Sequence, residues 1–139
     1  MILGVLLLYC LSTANAEDWW VRGRVFCNYK NPYEVRGTVQ LWEKDRVTRD
    51  DFQDQGPIAA GSFPGLHFHK TELFGVEPYL KVIHDCHPDI INGRTDCMAV
   101  SYDHFRSPAP NPVYERMVDI NRGELVCGAA VGGLTSVGK

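Results

Sequence analysis

The sequence predicts an all-β protein, an antiparallel β-sandwich of about seven or eight short strands. Apolar residues recur with period two in short segments, as they do along a half-buried strand. Clusters of Gly, Pro, Asn and Asp separate those segments and supply turn chemistry. Heptads, a fixed-period repeat and a long amphipathic helix are all missing from the 139 residues.

The amino-terminal end reads as a targeting segment. Residues 2–11 are a short apolar run, and Ala14-Asn15-Ala16 has the small-x-small form of a cleavage site, so residues 1–16 are expected to be a secretory signal peptide cut after Ala16. The run falls well short of the roughly 20 residues that a membrane-crossing helix needs. No transmembrane segment is therefore expected after cleavage. From 139 residues the removal of sixteen leaves 123, the size of one domain around one core. Residues 17–127 are expected to form that domain. Residues 128–139 are glycine-rich and small, and are expected to be a flexible tail.

Within the domain, residues 19–28 alternate, with Val21, Gly23, Val25 and Cys27 on one face and Trp20, Arg22, Arg24 and Phe26 on the other. Asn28 to Pro32 is a turn, and residues 37–43 alternate again, so the two strands read as a hairpin with a mid-length loop. Residues 44–56 are the most charged stretch and read as a solvated connection; Asp45, Asp50, Asp51 and Asp54 do not have the spacing of a calcium loop. Residues 57–71 hold two short strand candidates around Gly61-Ser62-Phe63-Pro64-Gly65. That order is not a nucleophile elbow, which places the serine third.

Residues 78–86, Pro-Tyr-Leu-Lys-Val-Ile-His-Asp-Cys, carry apolar side chains on both faces, the pattern of a central strand. Residues 87–95 read as a polar loop, residues 98–104 as a strand, and Ser107 to Pro112 as a stiff connection. Residues 113–120 and 124–127 are the last strands, joined by a tight turn through Gly123.

Five cysteines become four once Cys10 leaves with the signal, and an even number in a secreted chain reads as two disulfides. Cys27, Cys86, Cys97 and Cys127 permit three connectivities. The expected pairing is Cys86 with Cys97, closing a local loop, and Cys27 with Cys127, tying the first strand to the last.

Chemistry-bearing candidates are few. His67 and His69 fall on one strand face, and a His-x-His pair can hold zinc or copper through neutral imidazoles, although no spacing brings His84 and His87 to them. They stand as weak metal candidates, and no metal or other cofactor is expected. Trp19, Tyr29 and Tyr33, taken as exposed near the first turn, are candidate binding anchors of the kind enriched at hot spots. A formal net charge of −3 gives no electrostatic reason to expect nucleic acid as a partner.

Val25-Phe26-Cys27-Asn28, Val39-Gln40-Leu41-Trp42-Glu43, Asp50-Asp51, Glu77 through Cys86, Cys97 and Asp119-Ile120 together resemble the nematode transthyretin-like family of secreted proteins. The resemblance implies a transthyretin-like sandwich of two antiparallel sheets, two disulfides that it does not connect, and no catalytic activity. The expected function is a secreted, non-catalytic binding or signalling module, with an extracellular protein receptor or a lipid as its partner. Carriage of a small apolar ligand is the alternative. Hydrolysis of 5-hydroxyisourate fits less well, because that family ends in Tyr-Arg-Gly-Ser and this chain ends Leu-Thr-Ser-Val-Gly-Lys.

Overall fold

In the segment 78–86, side chains of both parities enter apolar surroundings, and the strand they form lies in the middle of a sheet. The computed structural model describes residues 15–72, 75–108 and 112–137. Among these residues the order is β1 (Asn15–Phe26), β2 (Gly37–Glu43), β3 (Asp51–Ile58), β4 (Ser62–Glu72), β5 (Pro78–His84), a single helical turn α1 (Pro88–Ile91), β6 (Cys97–His104), β7 (Val113–Asp119) and β8 (Glu124–Cys127). Turns of 3-10 helix follow β1, at Pro32–Glu34, and β8, at Gly128–Gly133.

Five strands in the order β3-β2-β5-β6-β8 form one sheet, and three in the order β4-β1-β7 form the other. The result is an all-β sandwich with the core between the sheets. Inward residues of β1 (Trp19, Val21, Val25), β4 (Phe63, Leu66, Phe68) and β7 (Val118) meet Val39, Leu41, Leu80 and Val82 of the facing sheet. Trp19 and Phe68 lie parallel with ring centroids 4.5 Å apart. Burial of about ten such side chains, each worth roughly 1.5–3 kcal/mol, is the main favourable term.

Pairing is antiparallel except between β1 and β7, which run parallel in a register from Trp20 opposite Val113 to Phe26 opposite Asp119. The expected hairpin of β1 with β2 does not form: β1 is already partnered on both sides by β4 and β7, and β2 lies in the other sheet. Between them the chain makes a 3-10 turn, capped by the Asn31 side chain accepting the Tyr33 N–H at 3.0 Å, and buries Val35.

The charged stretch also differs from expectation, since its second half is β3, antiparallel to β2. Its acids are occupied by the protein. Asp45 Oδ1 accepts the N–H groups of Val47 and Thr48, which together with the Thr48 hydroxyl hold its carboxyl down to about 2. Asp50 accepts from Asp45 N–H and the Tyr79 hydroxyl. From β3 the chain passes to the other sheet through Ala60 (φ 51°) and Gly61 (φ 77°), a left-handed pair flanked by the Ala59–Ser62 bridge. A Cβ at Gly61 would stand 3.3 Å from the Pro32 carbonyl oxygen.

The disulfides join Cys27 to Cys86 and Cys97 to Cys127, which corrects the expected pairing. β5 stops pairing with β6 at His84, opposite Ala99. Beyond it, Asp85 N–H donates to the Arg36 carbonyl and Cys86 N–H to His84 Nδ1, so Cys86 leaves the β6 side and meets Cys27 from the facing sheet. Cys97 sits directly opposite Cys127 in the β6–β8 register. The polar loop after Cys86 is thus not closed by its own bridge; it contains α1, capped by His87 Nδ1 accepting the Asp89 N–H.

The residues expected to begin a flexible tail form the 3-10 segment Gly128–Gly133, which contacts β6 and β8. Gln40 Nε2 reaches the Leu134 carbonyl at 3.5 Å. The expected signal segment lies outside the described residues as far as residue 14. Asn15 and Ala16 open β1, so a cut after Ala16 shortens that strand to residues 17–26.

Candidate functional site

Alternation along β4 turns Leu66 and Phe68 into the core and leaves His67 and His69 on the outer face of the three-stranded sheet. The antiparallel register with β1 sets Trp20 opposite His67 and Asp18 opposite His69. Asp18 uses both carboxylate oxygens: Oδ1 lies 2.6 Å from His67 Nε2 and Oδ2 lies 3.2 Å from His69 Nδ1. The hydrogen bond from His67, reinforced by that from His69, holds the Asp18 carboxyl below its usual range. The His67 imidazole stacks on the Trp20 indole with centroids 4.4 Å apart, and the His67 N–H donates to Asp54 Oδ2 at 2.8 Å. One ligand atom from each of Asp18, His67 and His69 lies within 4.8 Å of the others.

The same face continues toward the far end of β1. Arg22 donates through Nε and Nη2 to Glu115 Oε1, at 3.0 and 2.8 Å. Beyond that pair, Arg24 stands opposite Met117, and Phe26 follows at the strand end. Trp20, Phe26, Val113 and Met117 all remain substantially exposed, Met117 to 62%. A surface depression is lined by Arg24, Phe26, Pro32, Tyr33, Gly61 and Met117.

Of the aromatic residues expected as anchors, Trp19 is 1% exposed and belongs to the core, whereas Tyr29 and Tyr33 are at the surface, 47% and 72% exposed. Trp19 shares the parity of Val21 and Val25, so the strand that buries those residues buries it too. Its neighbour Trp20 is the exposed tryptophan. Tyr33 joins the depression beside Phe26 and Met117. Asp18, missed by sequence reasoning, lies on the polar face of β1 and becomes recognisable only through its register with β4.

His84 and Asp85 serve the fold. His84 Nδ1 accepts the Cys86 N–H, so Nε2 carries the ring proton and donates to Ser101 Oγ at 2.8 Å. Burial pushes this imidazole down to about 4. Asp85 accepts from Lys30 Nζ and Arg36 N–H, both at 3.0 Å.

A family model described as TTR-52, Transthyretin-like family, matches residues 22–101. The chain belongs to the transthyretin-like family. Transthyretin-like protein 16 of Caenorhabditis elegans is 32% identical to this transthyretin-like chain over 88 residues, covering 63% of the chain and 64% of the relative. Transthyretin-like protein 5 of the same nematode is 28% identical over 93 residues, covering 62% and 66%. The chain therefore spans just under two thirds of each relative's length. Among solved structures, a 9R-lipoxygenase from Cyanothece aligns over 80% of this chain and 17% of that one at 11% identity and a TM-score of 0.48, too loose a likeness to bear on fold or function. The stretch matched by the family runs from Arg22 into β6; it includes His67 and His69 and leaves out Asp18, Trp20 and Cys127.

Proposed function

We propose that this transthyretin-like protein is a secreted, non-catalytic module that binds an extracellular protein through the outer face of the β4-β1-β7 sheet and the adjoining Tyr33 turn. The observation that carries this reading is the patch of exposed Phe26, Met117 and Tyr33 around Arg24. Aromatic, methionine and arginine side chains are the types enriched where proteins dock. Arg22 is neutralised by Glu115, and Asp119 stands opposite Phe26, so the face carries both signs of charge. That mixture suits a protein surface better than an anionic membrane, which favours clustered cations. Carriage of an apolar ligand inside one copy is disfavoured by the Trp19–Phe68 stack and its neighbours, which fill the interior. Secretion is supported by the signal-like segment at residues 1–16 and by the two disulfides, which belong to an oxidising compartment.

The test is photo-crosslinking of the protein on intact tissue, comparing wild type with Phe26→Glu and Met117→Glu. Both positions are exposed, so the fold is expected to survive. Specific protein adducts that disappear in both variants support the reading; adducts that persist unchanged, or retention by phosphatidylserine vesicles alone, overturn it.

A further inference from the structure

The geometry around Asp18, His67 and His69 points to a solvent-open site for a divalent late first-row metal ion, zinc or copper(II). Two imidazoles and one carboxylate, without a thiolate, form a donor set that suits these ions and leaves coordination positions open. Zinc–nitrogen and zinc–oxygen bonds of about 2.0–2.2 Å place donors on one ion roughly 3–3.5 Å apart. The three donors here are already within 4.8 Å of one another, with 2.6 and 3.2 Å between Asp18 and the two rings. Closing the set requires only side-chain adjustment, since His69 is exposed and free to turn about its own bonds.

The site is organised before any ion arrives. His67 is held by the Trp20 stack and by its backbone bond to Asp54, and the two histidines are fixed two residues apart on a paired strand. Such preorganisation lowers the entropy lost on binding. In the metal-free state His67 Nε2–H and His69 Nδ1–H donate to Asp18. On binding, the nitrogens that face Asp18 become ligands and each neutral imidazole carries its ring proton on its other nitrogen. The open positions take water or a donor from a second molecule.

The full chain, with its disulfides formed and freed of metal by chelation, is titrated calorimetrically with zinc chloride and with copper(II) chloride. One ion per chain is expected, held more tightly for copper than for zinc. Asp18→Asn, His67→Ala and His69→Ala are each expected to weaken binding by at least about 10-fold, the scale on which even outer-shell partners act. His104→Ala, away from the site, should titrate like wild type. A second readout reports position: copper(II) quenches tryptophan emission, and Trp20→Phe should lose most of that quenching while still binding the ion. Paramagnetic resonance of the copper form should show coupling to two imidazole nitrogens. Absence of binding at micromolar metal, affinity unchanged in all three ligand variants, or coupling to fewer than two nitrogens would overturn the assignment.

Discussion

Cys27, just past the end of β1, is bonded to Cys86, just past the end of β5, so one covalent tie spans the two sheets across 59 residues of sequence. The other, between Cys97 and Cys127, spans 30 residues and lies between neighbouring strands of one sheet. By the chain-entropy relation each closure is worth close to 4 kcal/mol. Cys27→Ser/Cys86→Ser is therefore expected to lower the unfolding free energy by about that amount in urea denaturation. A non-reducing digest should release peptides joining 27 to 86 and 97 to 127; a peptide joining 86 to 97 would contradict the structure.

His84 predicts an acid-sensitive window. Its ordinary value is 6.5 and burial lowers it to about 4, so between those pH values the unfolded chain binds a proton that the folded chain refuses. Stability from this group is complete above pH 6.5 and falls as the pH drops toward 4. The full loss is roughly 3 kcal/mol. Urea midpoints measured across that range should decline in wild type, and His84→Gln should flatten the decline whatever its stability at neutral pH.

Gly23 marks a close backbone approach within the three-stranded sheet. The β1–β4 register shifts between Val21 and Gly23, and a Cβ there would lie 1.8 Å from the Arg116 carbonyl oxygen. Because the obstacle is backbone, the parallel β1–β7 ladder must move to admit it. Gly23→Ala is expected to destabilise by more than about 3 kcal/mol, the range of severe core overpacking. Gly132→Ala, which meets nothing within 4 Å, should leave the melting temperature within a degree or so.

Arg116 forms a two-pronged pair with Asp103, Nε to Oδ2 at 2.8 Å and Nη2 to Oδ1 at 2.6 Å, and its guanidinium lies against the Phe105 and Tyr114 rings. The bonds to Asp103 raise it further above its already high value. Asp103→Ala leaves a half-buried cation without its carboxylate and is expected to cost about 1–2 kcal/mol, between the values for exposed and buried pairs. Asp103→Ala combined with Arg116→Met should recover part of that loss in thermal unfolding; no recovery would show that packing, not charge, holds the corner.

Much of this fold was legible in local alternation. β5 advertised its central place by apolar residues on both faces, and β8 was bounded by Gly123 and Gly128. Partnership between strands was less legible, because β1 and β2 are adjacent in sequence yet belong to different sheets. Asp51 and Asp54 disguised β3, since their carboxylates are used by Lys70 and by the His67 N–H and only the fold reveals those partners. The cysteines followed the same rule: Cys97 and Cys86 are near in sequence, but register and the turn after His84 chose other mates. At the site, the His-x-His spacing was readable, whereas Asp18 depended on which residue of β1 faces His69. Trp19 was readable and misjudged, for its parity with Val21 already placed it inside.

Pro57 of β3, opposite Thr38 of β2, and the brevity of β8, four residues before the chain coils into its 3-10 turn, have a shared effect on the two borders of the larger sheet. An extended segment laid along one border meets a residue with no N–H to offer, and along the other finds little backbone to template it. Growth of the larger sheet by edge-to-edge strand addition is thereby discouraged, which leaves its faces and turns as the surfaces it offers to another molecule.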